Sequence, residues 1–219
     1  APVTQKVVKE VNGPDPASVN LGWAFGGEGT KDADICTLIS GILYNQTAGL
    51  MDINLNQAQK VLASDNFFYA LKDYSFFGSS GQPKEGQTLE EVEKLLMSQL
   101  ELIKKGEFPD WLMQAVVTDL KLRKTKELEN NDTRAQAMLN AFVNDIKWQS
   151  SVNTIERISK ITKQEVVDFA KKNFTDNNYV VVYKRTAEDL TIQKVEKPAI
   201  TPVEVDRDHT SPFVDNIAK

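Results

Sequence analysis

The sequence predicts a mixed α/β domain, and three observations carry that expectation. Residues 161–185, "ITKQEVVDFAKKNFTDNNYVVVYKR", place a capped helix, a tight turn and an apolar strand in direct succession. Two capping boxes, Thr88 with Glu91 and Thr162 with Glu165, mark helix starts, the Thr oxygen serving one orphan amide and the Glu side chain another. Stretches of β character at 5–11 and 18–25 flank the turn-forming "NGPDPA".

Composition sets the limits. At 219 residues, with 41% hydrophobic and 26% charged, the chain is long enough to hold a core without disulfide or metal. Its net charge of −5 argues against nucleic acid as a partner, because phosphate neutralisation needs clustered Lys and Arg. Cys36 stands alone, which excludes an internal disulfide. No run approaches the roughly 18 apolar residues of a membrane span. The opening "APVTQKVVKE" lacks both an initiator Met and the basic-then-apolar order of a signal peptide, so a processed piece of a longer chain is expected.

The elements follow in order. "GGEG" at 26–29 breaks the second strand, and Ile35, Leu38, Ile39, Ile42 and Leu43 recur at helical spacing from Lys31 to Tyr44. "AGLMDINLNQ" reads as a short helix, and 60–71 with 73–80 as two adjacent antiparallel strands. The helix after Thr88 turns Val92, Leu95, Leu96 and Ile103 inward and stops at Gly106. Pro109 suits the first turn of a long helix to about Glu129, with Trp111, Leu112, Ala115, Val116 and Leu120 as its inner stripe. "NND" breaks it, and a helix from Thr133 carries Ala137, Met138, Ala141 and Phe142. "SVNTIERISKI" is helical. Val166, Phe169 and Ala170 face inward after Thr162. Tyr179–Tyr183 forms a strand covered on both sides, Val180 and Val182 on one face and Val181 on the other. Residues 186–219, with Pro198, Pro202 and Pro212, read as an extended linker or arm.

Candidate chemistry is sparse. His209, the single histidine, lies in the tail, and a hydrolytic zinc normally takes three protein ligands. With Cys36 on a distant helix it supplies no usual site. Cys36 has no basic neighbour or His partner to generate thiolate and reads as core filler. "GGEG" and "GSSG" lack the Lys-Ser or Lys-Thr of a phosphate loop and read as strand terminators with positive φ. Asp32 and Asp34 complement a helix N-terminus, and "LKLRKTKELEN" is a solvated charged face. No catalytic, cofactor-binding or metal-ligating residue is assigned.

The order of these pieces resembles the non-catalytic domain of the pitrilysin (insulinase) zinc metallopeptidases, peptidase family sixteen, which includes the mitochondrial processing peptidases. The resemblance spans about residues 1–185 and rests on "ICTLISGILY", "GSSGQPKEGQTLEEVEKLL", "LELIKKGEFPDWLMQAVVTDLK", "NNDTRAQAMLNAF" and "ISKITKQEVVDFAKKNFTDNNYVVVYKR". It implies an α+β fold, a largely antiparallel sheet covered by helices on one face. It also implies a parent whose domains close around a peptide chamber and whose first domain holds zinc through "HxxEH" and a downstream Glu. None of those positions exists here, so no cofactor is expected in this chain. The family's far-half "LRExxGLxY" matches "LNQAQKVLA", with Asn56 in the Arg place and Ala63 in the Tyr place. The partners so implied are other domains of the same parent chain and the parent's peptide substrates, in an extracytoplasmic compartment such as the bacterial periplasm. An interaction domain of an inactive peptidase paralogue is the alternative reading.

Overall fold

The computed structural model describes residues 3–188, 196–202 and 211–217. Its first unit, Ala1–Glu188, contains one five-stranded sheet. The strands are β1 (Val7–Gly13), β2 (Ser18–Gly26), β3 (Ala63–Ala70), β4 (Tyr74–Gln82) and β5 (Val180–Thr186), in the spatial order β1-β5-β2-β4-β3. β1 runs parallel to β5, and the other three pairings are antiparallel. This is an α+β fold with a largely antiparallel sheet.

Alternation along the strands decides which face is covered. Val19, Leu21 and Trp23 on β2, Phe77 on β4, and Val181 and Tyr183 on β5 are buried beneath helices. Phe76, Tyr74 and Tyr69 stand exposed on the opposite side. β5 is therefore interior in strand order but open on its second face, where Val180 and Val182 remain partly exposed. That corrects the expectation of a strand covered on both sides: the unbroken valine run reflects a position between two strands, not between two layers.

The covering layer begins with α1 (Lys31–Leu43), whose Ile35, Leu38, Ile39, Ile42 and Leu43 are all buried. A π-helical turn at Asp52–Gln57 leads into β3. After β4 comes α2 (Leu89–Lys105), opened by the Thr88–Glu91 capping box and ended by Gly106 in the left-handed region. α3 (Asp110–Glu127), α4 (Asn131–Val143), α5 (Trp148–Val152) and α6 (Thr154–Ser159) follow. α7 (Lys163–Asn173), opened by the Thr162–Glu165 box, packs on α2 and returns the chain to β5. Around Phe174 the rings of Trp23 and Phe77 gather at 5.3 and 5.0 Å between centroids, the apolar centre of the unit.

Three expectations change here. "GSSG" at 78–81 lies inside β4 and terminates nothing. A Cβ at Gly78 would sit 2.3 Å from Phe67 Cζ, and one at Gly81 2.5 Å from Val92 Cγ1, so these glycines make room for side chains above and below the sheet. On α3, Leu112, Val116 and Val117 are the buried residues, whereas Trp111 and Ala115 are exposed, and Pro109 stands at the N-cap. α4 starts at Asn131, capped by Asn130, and buries Ala141 alone while Met138 and Phe142 face outward.

The second unit, Asp189–Lys219, is described by itself. Residues 196–202 have neither helix nor strand, and Pro212–Ile217 forms a short helix, α8, that Pro212 opens.

Candidate functional site

The far-half stretch of the resemblance is built into the corner before β3. Asn56, in the Arg place, spends its side chain on one neighbour: Oδ1 accepts from Ser64 N–H at 2.8 Å and Ser64 Oγ at 2.9 Å, and Nδ2 donates to Ser64 O at 2.9 Å. Ala63, in the Tyr place, opens β3 and is exposed. Position 56 fixes a corner of the fold and offers no charge to a ligand.

The sequence candidates scatter. Cys36 is buried in the core, and burial first, then the Asp32 charge, pushes its thiol far above the ordinary range, which disfavours thiolate. His209 lies outside the described residues. In "GGEG", Gly29 takes φ +81° just before α1. Asp34 lies in the first turn of α1 but is buried against Arg157 of α6, whose Nε donates to Oδ2 at 2.9 Å and Nη2 to Oδ1 at 3.3 Å. Among the described residues no three His, Cys, Asp or Glu side chains converge as metal donors. A zinc site of the usual three-ligand kind does not fit them.

The densest polar cluster was not read from sequence. Glu93, on the inner face of α2, accepts from Lys6 Nζ at 2.6 Å, from Tyr179 Oη at 2.5 Å and from Tyr183 Oη. Burial pushes its carboxyl up, but the three hydrogen bonds and the Lys6 charge outweigh this and hold it below the ordinary value. The same burial, together with the carboxylate, drives both tyrosines upward. A charged carboxylate with every partner supplied ties α2 to β5 and to the residue that leads into β1, and it has no open side for a substrate. Glu four residues after a leucine-rich helix start carried no signal of this, because its partners are 86 to 90 residues away.

A cavity of about 860 Å3 opens between α1, α3 and β3. Thr37, Ser40 and Tyr44 line it from the α1 side, Asn66 and Phe68 from β3, and Trp111 and Arg123 from α3. Among the described residues no helix is long and apolar enough to cross a membrane.

No protein-family model and no curated protein matches the chain. Solved structures do. A protease from Helicobacter pylori superposes with a TM-score of 0.77 at 17% identity, over 84% of this chain and 45% of its own. A peptidase M16 inactive domain from Pseudomonas fluorescens gives 0.69 at 12% identity, over 84% and 44%. The inactive peptidase domain of a protein assigned as a zinc protease in Bordetella parapertussis gives 0.71 at 13%, over 81% of this chain and 97% of that domain. The chain thus spans less than half the length of the first two. These superpositions show that the chain has the fold of the peptidase M16 inactive domain.

Proposed function

We propose that the chain is a structural, non-catalytic domain of a zinc-dependent metalloendopeptidase that degrades peptides in an enclosed chamber. The observation that carries this reading is the match to an inactive peptidase domain over nearly that domain's full length. The sequence leans the same way, since one His and one Cys fall short of the three protein ligands a hydrolytic zinc normally takes. In such a parent, zinc polarises the scissile carbonyl and activates water. Here the chain's own residues supply shape: the sheet and the α1, α2 and α7 layer make a rigid wall, and the Glu93 cluster fastens its edge. Residues 186–219 connect to a following half, the other domains of the parent are its partners, and the assembly works outside the cytoplasm.

The test is to express the parent with and without this domain and follow cleavage of an unstructured peptide. Chelator-sensitive cleavage that needs this domain is the expected result, with the isolated chain inert and free of stoichiometric zinc. Cleavage by the isolated chain that a chelator stops, and that survives His209→Ala, overturns the reading.

One observation favours the second reading, an organising domain of an inactive paralogue. α4 displays Met138, Leu139, Phe142 and Val143 to solvent, a stripe suited to holding another protein. A full-length parent that lacks activity but co-purifies with another subunit selects this reading over the first.

A further inference from the structure

α4 raises a stability question that its own chain does not answer. It has 13 residues and buries only Ala141. An isolated helix of that length is marginal in water, and helices hold chiefly by burying an apolar face. Here the face is present: Ala135, Met138, Leu139, Phe142 and Val143 fall on one side at helical spacing, and all are exposed. Ala137 and Ala141 turn the other side toward the domain. Asn144 Nδ2 donates to Glu28, so the end of the helix is fixed and the stripe is held outward.

α5, which packs against α4, adds Trp148 and Val152, also exposed. Aromatic residues and Met are enriched where proteins meet, and a contiguous exposed apolar face marks such a place.

Charge names the occupant. The stripe itself carries none, while Asp132 precedes it and Lys147 follows it. Arg134 donates to Asn131, and Asp145 pairs with Lys72 at 3.5 Å. Asp132 and Lys147 have no ion pair among the described residues. A two-fold axis between Met138 and Leu139 sets a second α4 antiparallel to the first. It brings Asp132 of each copy toward Lys147 of the other, and lays Phe142 of each over the small Ala135 of the other. Two ion pairs, two large-on-small contacts and opposed helix dipoles follow from one sequence. A foreign partner would have to bring that complement; this chain already contains it.

We infer that α4 is the seam of a homodimer, two copies of this chain pairing antiparallel through it. The contact is isologous and closes at two copies. One helix of about 20 Å makes a small interface, so the dimer is weak and concentration-dependent. The inference goes beyond both functional readings and rests on neither.

Sedimentation velocity on the full chain, from about 1 to 200 µM, tests it. Twice the chain mass should appear as concentration rises. Phe142→Asp, at an exposed site where folding tolerates change, should abolish the dimer. It should leave the circular dichroism spectrum and the denaturation midpoint of the dilute monomer in place. Lys147→Glu sets like charges together twice and should weaken dimerisation roughly tenfold. Adding Asp132→Lys to it reverses both signs and should restore the dimer. A chain that stays monomeric throughout the series overturns the inference and leaves the stripe to another domain of a parent chain or to a different protein. So does a dimer that survives Phe142→Asp, or one in which the double exchange fails to recover what Lys147→Glu loses.

Discussion

α7 and α4 look alike as sequence and differ entirely as structure. Both are short, both have a side-chain N-cap, and both carry apolar residues three and four apart. α7 buries Val166, Val167, Phe169 and Ala170, whereas α4 buries Ala141 alone and exposes Phe142 to 83%. What separates them is the chain that follows. After α7 the turn at Thr175–Asn178 feeds β5 into the middle of the sheet, which clamps the helix over its neighbours. After α4 come α5, which buries no residue, and α6, which packs Ile158 against the core beside α1 and α3, and no strand directly follows α4 to hold it over the sheet. An amphipathic stripe announces that a face needs burying; it does not say whether the partner belongs to the same chain.

The largest test of that contrast is a matched pair of truncations. Phe169→Ala on α7, at a site 8% exposed, should cost about 3–5 kcal/mol in chemical denaturation. Removing Glu93 beneath the same packed side comes next: Glu93→Ala leaves Tyr179 and Tyr183 hydroxyls without their acceptor and should cost about 2–3 kcal/mol. Thr162→Ala, which opens the capping box of α7, should cost about 1 kcal/mol. Phe142→Ala on α4 should change global stability by less than about 0.5 kcal/mol. A loss at Phe142 as large as that at Phe169 would show that α4 is clamped in solution, and the contrast would fail.

The smallest effect is in acid. The Lys31 ammonium first, then the Thr162 N–H and hydroxyl, hold Glu165 at about 2 against an ordinary 4.5. A carboxyl depressed in the folded state contributes stability above its unfolded pKa and loses it as pH falls through the folded one. Unfolding midpoints followed from pH 4.5 down to about 2 should therefore fall, and fall less steeply in Glu165→Gln. Identical slopes in the two proteins would remove Glu165 from the account of α7.

Local signals were legible and distant ones were not. Both capping boxes, the α1 stripe and the antiparallel pairing of β3 with β4 follow from neighbours within a few residues or from adjacent segments. "GSSG" misled because two glycines in four residues read as a strand terminator, while the side chains that require them, Phe67 and Val92, come from other elements. Trp111 and Phe142 fit their helical stripes and still face out, since periodicity fixes a face but not its orientation toward the core. The cavity was invisible for a similar reason: Tyr44, Asn66 and Trp111 meet only once α1, β3 and α3 are assembled. Asn56 and Ala63 could be located by the resemblance, but the three bonds between Asn56 and Ser64 could not.

The strand order carries a consequence for how the molecule is made. β1 and β2 are neighbours in sequence, yet β5 lies between them, so the sheet is completed from its middle by the last strand. Residues 14–179 separate the two parallel partners β1 and β5. At synthesis rates of about 5–20 residues per second, β1 leaves the ribosome roughly ten to thirty seconds before its partner β5 exists. During that interval β1 and the inner edge of β2 are unpaired strands, open to a chaperone or to another nascent copy. Assembly therefore waits on the unit at 161–185, and a ribosome stalled before Val180 would hold four strands that cannot close into one sheet.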